Sequence, residues 1–158
     1  HYQSFGFATG SPEHEGYAAE LEATQASVKR MREAGIRVLV GGDYGLNITP
    51  HGTYAKELQY FTDYFGFSPG EALQAATKHG GEAFMPDGSL GTLEAGKIAD
   101  MVIVKGNPLE QIGVLQDADA IAAVIKEGQI YTGLLDNQSP HQKNAEQLNQ
   151  LLGARPCN

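Results

Sequence analysis

The amino-acid sequence predicts an α/β fold, and three observations support this class. First, residues 17–34 carry apolar side chains at helical spacing, and a largely apolar run rich in β-branched residues, 36–40, follows at once. Second, another helical stripe, 53–65, comes after a glycine-rich loop, and alternation of helix and strand is typical of parallel sheets. Third, beyond residue 81 prolines and glycines separate short segments, which predicts a smaller β-rich region.

The first predicted helix covers residues 17–34 and should end at Gly35, since glycine commonly terminates helices. One face of this helix carries Tyr17, Leu21, Thr24, Val28 and Met31. The run 36–40 then predicts a strand that is buried on both faces, because parallel sheets are covered by helices on each side. Helix and strand together form one repeating unit of such a sheet.

The second predicted helix, 53–65, ends before Gly66, and we interpret its apolar stripe as core rather than as a ligand platform. The stripe consists of Tyr54, Leu58, Phe61 and Phe65. The third helix, 69–79, begins with a capping box formed by Ser68 and Glu71, with proline at its first position. His79 would stand at its carboxyl end, where a partly positive imidazole offsets the helix dipole, so a structural role suffices.

The β-rich region is predicted to contain strands at 100–104, 121–126 and 129–132, the last two joined by a short hairpin across Glu127-Gly128. We divide the chain accordingly into 1–84, 85–134 and a polar tail, 135–158. Within the tail, residues 140–152 place leucines on one side of a possible helix.

Composition excludes several classes of function. Nineteen acidic against eleven basic side chains give a net charge of −8, which opposes binding to nucleic acid or to anionic membranes. No apolar run approaches the roughly 18 residues of a membrane span. Cys157 is the single cysteine, so no disulfide framework or CxxC metal site exists. The first residues lack a signal-peptide pattern, and a first residue other than Met suggests that the natural beginning is missing. The sequence therefore leaves the compartment open, with the cytoplasm favoured.

Asp43 is the principal candidate for a functional residue. It follows the predicted strand and two glycines, which let the backbone turn sharply and place the carboxylate beyond the strand's carboxyl end. Enzymes of α/β architecture carry their chemistry there. The alternative is that Asp43 only caps the turn or the next helix. His51, eight residues further on, could bind substrate or shuttle a proton, or could be an ordinary solvated loop histidine.

Other motifs do not lead to a site. Residues 91–98 fit G-x-x-x-x-G-K, but Ile98 occupies the position of the magnesium-binding hydroxyl and Glu94 would repel phosphate. A strand is predicted to follow where a phosphate loop needs a helix, so nucleotide binding is rejected. No H-x-H, H-x-x-x-H or G-x-S-x-G sequence occurs. Spacing offers no argument that brings Glu57 to Asp43 or to a metal.

A series of short segments, taken in order, resembles the C-terminal part of metal-dependent amidohydrolases, in the branch that contains imidazolonepropionase-like and prolidase-like enzymes. The resemblance extends over residues 14–133 and depends on the ensemble, which ends in a Gly-Lys-Ile-Ala-Asp run. The segments are 34–36, 42–43, 51–52, 57–58, 68–73, 75–77, 91–100 and 107–109.

This resemblance implies a (β/α)8 barrel of the TIM type, with residues 1–84 as its C-terminal part, 36–40 as its last strand, and 85–134 supplying strands of a small β-sandwich. It also implies that Asp43 binds a divalent metal, zinc by preference, as one or two ions. A metal lowers the pKa of bound water towards about 7, which makes hydroxide available at neutral pH. Asp43 could then accept a proton and return it to the departing nitrogen. We assign Tyr44 and His51 to substrate binding.

The chain departs from the family pattern in one large respect. The H-x-H of the first strand, the bridging lysine or glutamate, and the histidines of strands five and six have no counterpart and would lie before His1. A catalytic zinc generally needs three protein ligands. We therefore expect the 158 residues to be inactive alone. With the rest of the barrel, or with another polypeptide, they would complete a hydrolase that acts on small amides, cyclic amides, dipeptides or esters. The alternative is a noncatalytic scaffold or binding module. Uncovered strand edges also predict self-association.

Overall fold

The computed structural model describes residues 6–46 and 49–131, and the chain divides into two compact units, His1–Gly80 and Gly81–Asn158. The first unit contains helix α1 (Pro12–Glu33), helix α2 (Lys56–Tyr64), helix α3 (Pro69–Gln74) and a π-helical turn, Ala75–His79. Helix α4 (Gly80–Phe84) begins at the boundary. The second unit contains strands β1 (Met101–Val104), β2 (Ile121–Lys126) and β3 (Gln129–Ile130), with 3-10 turns at Ile112–Gln116 and Ala118–Ala120.

Helix α1 confirms the first predicted helix but begins five residues earlier. The Ser11 hydroxyl accepts a hydrogen bond from the His14 amide at 3.2 Å, and proline occupies the first helical position, so the chain has a complete start signal there. No side chain of α1 is buried among the described residues; Leu21 is 38% exposed and Met31 42%. Its apolar face is therefore not part of a core in this unit.

The segment 36–40, predicted as a buried strand, is not a strand in this structure. The segment forms no strand, none of its residues is buried, and the side chain of Ile36 is 56% exposed. A strand exists only when a neighbour pairs with its amides and carbonyls, and the described strands do not include one that pairs with this segment. The described residues consequently contain helices and a small antiparallel sheet but no parallel sheet.

Helices α2 and α3 form the core of the first unit. Leu58 and Phe61 are buried, as the stripe of α2 predicts, whereas Tyr54 lies before the helix and is 52% exposed, so its assignment to the core is wrong. Ala72 and Ala75 are almost completely buried, at 0% and 1% exposure, and their small side chains let α3 approach α2 closely.

The start of α3 confirms the predicted capping box. The Glu71 amide donates to the Ser68 hydroxyl at 3.3 Å, and the Ser68 amide donates to the Glu71 carboxylate at 2.7 Å. The predicted helix end at His79 is wrong, because the helical path continues through the π-helical turn into α4. His79 therefore does not stand at a helix terminus.

Arg32, near the end of α1, joins that helix to the α2–α3 connection. Its guanidinium donates to the backbone carbonyls of Phe65 at 3.1 Å and Gly66 at 2.6 Å. It also forms an ion pair with Glu71 at 2.9 Å and lies 4.0 Å from the centre of the Phe67 ring. The Arg32 guanidinium thus donates hydrogen bonds and stacks through its planar face at the same place, where α1 meets the α2–α3 connection.

The second unit confirms the predicted β segments. Strand β1 pairs antiparallel with β2, and β2 with β3. Glu127 and Gly128 both have positive φ angles, 52° and 77°, as a two-residue hairpin turn of the favoured twist requires. The turn amides reach back to the start of β1: Glu127 donates to the Asp100 carboxylate at 2.7 Å, and Gly128 to the Ala99 carbonyl at 3.0 Å.

The G-x-x-x-x-G-K segment is a turn held by its own side chains. Lys97 forms an ion pair with Glu94 at 3.0 Å and donates to the Thr92 hydroxyl, and β1 follows rather than a helix. Lys97 therefore bonds side chains of its own turn, which supports the rejection of a phosphate loop. The predicted tail, 135–158, with Cys157, lies outside the described residues. Among the described helices, none has the length and apolarity needed to cross a bilayer.

Candidate functional site

Asp43 lies in a turn that closes on itself through Thr49. The Thr49 hydroxyl donates to the backbone carbonyl of Asp43 at 2.6 Å, and the Gly45 amide donates to the Thr49 carbonyl at 2.8 Å. Asp43 is exposed, and no described residue donates a hydrogen bond to its carboxylate. Helix α2, the next helix, begins at Lys56 without a side-chain cap. The alternative role of Asp43 as a cap thus finds no contact among the described residues.

Glu57, in the first turn of α2, contacts the backbone immediately before Asp43. The Gly41 amide donates to one carboxylate oxygen at 3.0 Å and the Gly42 amide to the other at 2.9 Å. The sequence reasoning missed this contact, because it depends on how α2 approaches the loop. The available signal was a glycine pair, whose amides no side chain shields, followed by a glutamate at a helix start, where negative charge is favoured.

The Tyr44 ring lies close to Gly42. A Cβ atom added at Gly42 would lie 2.5 Å from a ring carbon of Tyr44 and 3.1 Å from the Glu57 carboxylate. The Tyr44 ring packs edge-on against Tyr54, with 4.6 Å between ring centres, and its hydroxyl donates to the Tyr54 carbonyl at 3.4 Å. Partial burial, followed by the nearby Glu57 carboxylate, raises the pKa of the Tyr44 hydroxyl, so it stays protonated at neutral pH.

His51 contacts this group through Tyr54. The Nδ1 atom of His51 lies 2.7 Å from the Tyr54 hydroxyl, and the other ring nitrogen would be 3.0 Å from a Cβ atom added at Gly45. Gly45 has a φ angle of 108°, so glycine is required there for conformation as well as space. The structure thus brings His51 to the edge of the group formed by Asp43 and Tyr44.

Asp43 and Tyr44 line a cavity of about 560 Å³ in the first unit, together with Tyr54 and Glu57. Apolar side chains of Val40, Leu58 and Ala76 line it as well. His51 is not among its lining residues. The arrangement presents one exposed carboxylate and two phenol rings to a mainly apolar cavity, which is the usual composition of a small-molecule site.

We tested whether these residues fit a divalent metal. The described residues contain no group of three or more His, Cys, Asp or Glu side chains that could hold one. Both oxygens of Glu57 accept backbone amides, and one nitrogen of His51 is engaged by Tyr54. The exposed Asp43 carboxylate is a suitable zinc or magnesium ligand, so the described residues fit as the source of one ligand and not as a complete site.

Comparison with known proteins gives a consistent result. A family model described as "Amidohydrolase family" matches residues 15–131. Ochratoxinase from Aspergillus niger is 34% identical over 116 residues, covering 73% of this chain and 22% of the relative. Imidazolonepropionase from Symbiobacterium thermophilum is 31% identical over 110 residues, covering 70% of this chain and 26% of the relative.

Solved structures agree with the sequence matches. The crystal structure of A. niger ochratoxinase superposes with a TM-score of 0.69 at 28% identity, over 82% of this chain and 29% of that one. A Xaa-Pro dipeptidase with methionine bound in its active site superposes with a TM-score of 0.60 at 34% identity, over 69% of this chain and 25% of that one. The chain thus spans about a quarter of the length of the proteins it matches.

Proposed function

This chain belongs to the amidohydrolase family, and from that premise we propose that it is the C-terminal part of a metal-dependent hydrolase that cleaves a C–N bond of a small molecule. In this proposal residues 1–84 complete a (β/α)8 barrel, with 36–40 as its last strand, and 85–134 add strands to a β-sandwich. Its relatives are hydrolases by name, among them a dipeptidase, which supports an amide, cyclic amide or dipeptide substrate.

One observation carries the proposal: Asp43 presents an exposed carboxylate, with no donor among the described residues, to a cavity at the end of the segment 36–42. The missing strand pairing of 36–40 is consistent with it, because in a barrel the partner of this segment would be another strand of the barrel wall. The exposure of Ile36 is also consistent with the proposal, because helices and side chains of the complete barrel would cover this residue.

Within this proposal each residue of the chain has a limited task. A bound divalent metal, zinc by preference, would supply polarisation of water and of the substrate carbonyl. Asp43 supplies one ligand, accepts the proton of the attacking water and returns it to the departing nitrogen. The protonated hydroxyl of Tyr44 and the imidazole of His51 offer hydrogen bonds that orient the substrate at the cavity.

The test replaces Asp43 by asparagine in the polypeptide that carries this chain together with the remaining barrel strands. Asp43→Asn keeps the size of the side chain and removes its ability to accept a proton, so turnover of amide and dipeptide substrates should fall by about 100-fold or more. Asp63→Asn is the matched control, because Asp63 is an exposed carboxylate on α2 whose partners among the described residues are Gln59 and Thr62. Its turnover should stay within about twofold of the wild type.

Two results would contradict the proposal. If Asp43→Asn retains the turnover of Asp63→Asn, the chain is a noncatalytic scaffold that keeps the amidohydrolase outline. If the 158-residue chain alone binds one zinc per molecule tightly, with ligands inside it, the division of the metal site between this chain and the rest of the barrel is wrong.

A further inference from the structure

We propose that Glu57 is the positioning residue of this site: its carboxylate holds the Gly41-Gly42 backbone and thereby fixes the direction in which Asp43 points. The catalytic consequence rests on the proposed function, whereas the structural part does not. No spacing rule in the sequence links Glu57 to Gly41 and Gly42, which precede it by 16 and 15 positions.

The geometry of the contact is that of a clamp. Two consecutive amides, from Gly41 and Gly42, each donate to a different oxygen of one carboxylate, at 3.0 and 2.9 Å. Two parallel bonds fix orientation as well as distance, and bonds to a charged acceptor are stronger than neutral ones. Asp43 is the next residue along the chain, so the orientation of the Gly42 peptide sets the start of its side chain.

Glu57 is itself held in place. It lies in the first turn of α2, beside Leu58 and one turn before Phe61, and both of these side chains are buried in the core of the unit. The clamp therefore connects a loop that carries the exposed carboxylate to a helix that cannot move without disturbing the core. A negative charge is also favoured in the first turn of a helix by the helix dipole.

The space above Gly42 gives independent support. The Tyr44 ring and the Glu57 carboxylate lie so close to Gly42 that a Cβ atom would overlap the ring at 2.5 Å and press on the carboxylate at 3.1 Å. A Cβ atom at Gly41 would meet no atom within 4 Å, although its amide makes the same kind of bond. The two glycines therefore form a matched pair for testing the clamp.

Both Glu57 oxygens accept amides, so in this proposal Glu57 acts through the loop, although its side chain lines the same cavity as Asp43. A residue of this kind should affect the chemical step more than substrate binding. In the polypeptide with the complete barrel, Glu57→Gln puts an amide donor against a backbone donor, and kcat should fall about 10- to 100-fold, as expected for a displacement near 1 Å. KM should change by less than about threefold, and Asp63→Asn should leave both unchanged.

The clamp itself is measured by amide exchange in the polypeptide that carries the complete barrel. The Gly41 and Gly42 amides should exchange at least about tenfold more slowly than in an unstructured peptide. Gly41→Ala should preserve slow exchange at the Gly42 amide, whereas Gly42→Ala should abolish it. Glu57→Gln keeps one acceptor oxygen, so it should abolish slow exchange at one of the two amides. The wild-type measurement requires no substitution.

The outcomes separate the two proposals. If Asp43→Asn leaves turnover unchanged, the proposed function fails whatever Glu57 does. If Asp43→Asn loses activity while Glu57→Gln keeps its kcat, the positioning role alone is wrong. Unprotected Gly41 and Gly42 amides in the wild-type polypeptide with the complete barrel would also overturn it.

Discussion

Replacing Arg32 by alanine should destabilise the first unit more than any comparable change on α1. The guanidinium, 27% exposed, donates to two carbonyls and one carboxylate and stacks on Phe67. A hydrogen bond contributes about 1 kcal/mol net, an exposed ion pair about 0–1 and a cation–π contact about 0.5–1. Since Glu71 is 51% exposed, its ion pair belongs at the low end, and Arg32→Ala should cost about 2–3 kcal/mol.

Arg30→Ala is the matched control, because Arg30 lies on the same helix and its guanidinium bonds the Ser27 hydroxyl, at 3.4 Å, as its one side-chain partner within 6–46 and 49–131. Both substitutions change helix propensity equally. The difference between their effects on the free energy of unfolding therefore measures the contacts that Arg32 makes with the α2–α3 connection. Arg30→Ala should change the free energy of unfolding by less than about 0.5 kcal/mol. Arg32→Lys keeps the charge but not the planar fork, and should recover less than about half of the loss.

Urea unfolding followed by circular dichroism is the appropriate assay, because guanidinium chloride would screen the ion pair under study. The reasoning is refuted if Arg32→Ala and Arg30→Ala have free energies of unfolding within about 0.5 kcal/mol of each other. It is also refuted if Arg32→Lys retains the full wild-type stability, because charge alone would then explain the effect.

Two further predictions concern stability. Gly81→Ala should destabilise the chain by about 1–3 kcal/mol in urea, because the new Cβ would lie 2.6 Å from the Leu90 carbonyl. Gly80→Ala, with helical φ and an ordinary contact of 3.6 Å to the Ala75 carbonyl, should be neutral or stabilising, and equal effects would contradict this. Hydrogen bonds from Ser68 lower the pKa of Glu71, so its stabilisation is complete above the unfolded pKa of about 4.3 and is lost as pH falls through the lower folded pKa. The stability difference between wild type and Glu71→Gln should therefore be full at about pH 7 and should shrink as pH falls below the unfolded pKa, and a constant difference would contradict the assignment.

Local patterns in the sequence predicted the features that depend on neighbours in the chain. The capping box at Ser68 and the hairpin at Glu127-Gly128 were predicted because each is built from a few consecutive residues. The resemblance to amidohydrolases, drawn from a series of short motifs, is confirmed by the family match over 15–131.

Features that depend on distant residues were predicted wrongly or missed. The run 36–40 has the composition of a buried strand, but pairing and burial require partners that the described residues do not supply. Tyr54 falls on the apolar stripe yet precedes α2 and faces His51. Glu57 was dismissed because no sequence pattern shows where a helix start will meet a loop. The roles of Asp43, Tyr44 and His51 stay predictions.

The bonds from the hairpin turn to Asp100 and Ala99 have a consequence for the sheet. They fix the residue at which β1 begins, and the extra residue of β2 between the partners of Ile103 and Val104 fixes the other end. A shift of one residue would turn the exposed Val102 inward and move Ile103 outward. The Asp100 carboxylate therefore helps to fix the register of β1. Its removal should allow strands to pair in the wrong register and should not change turnover.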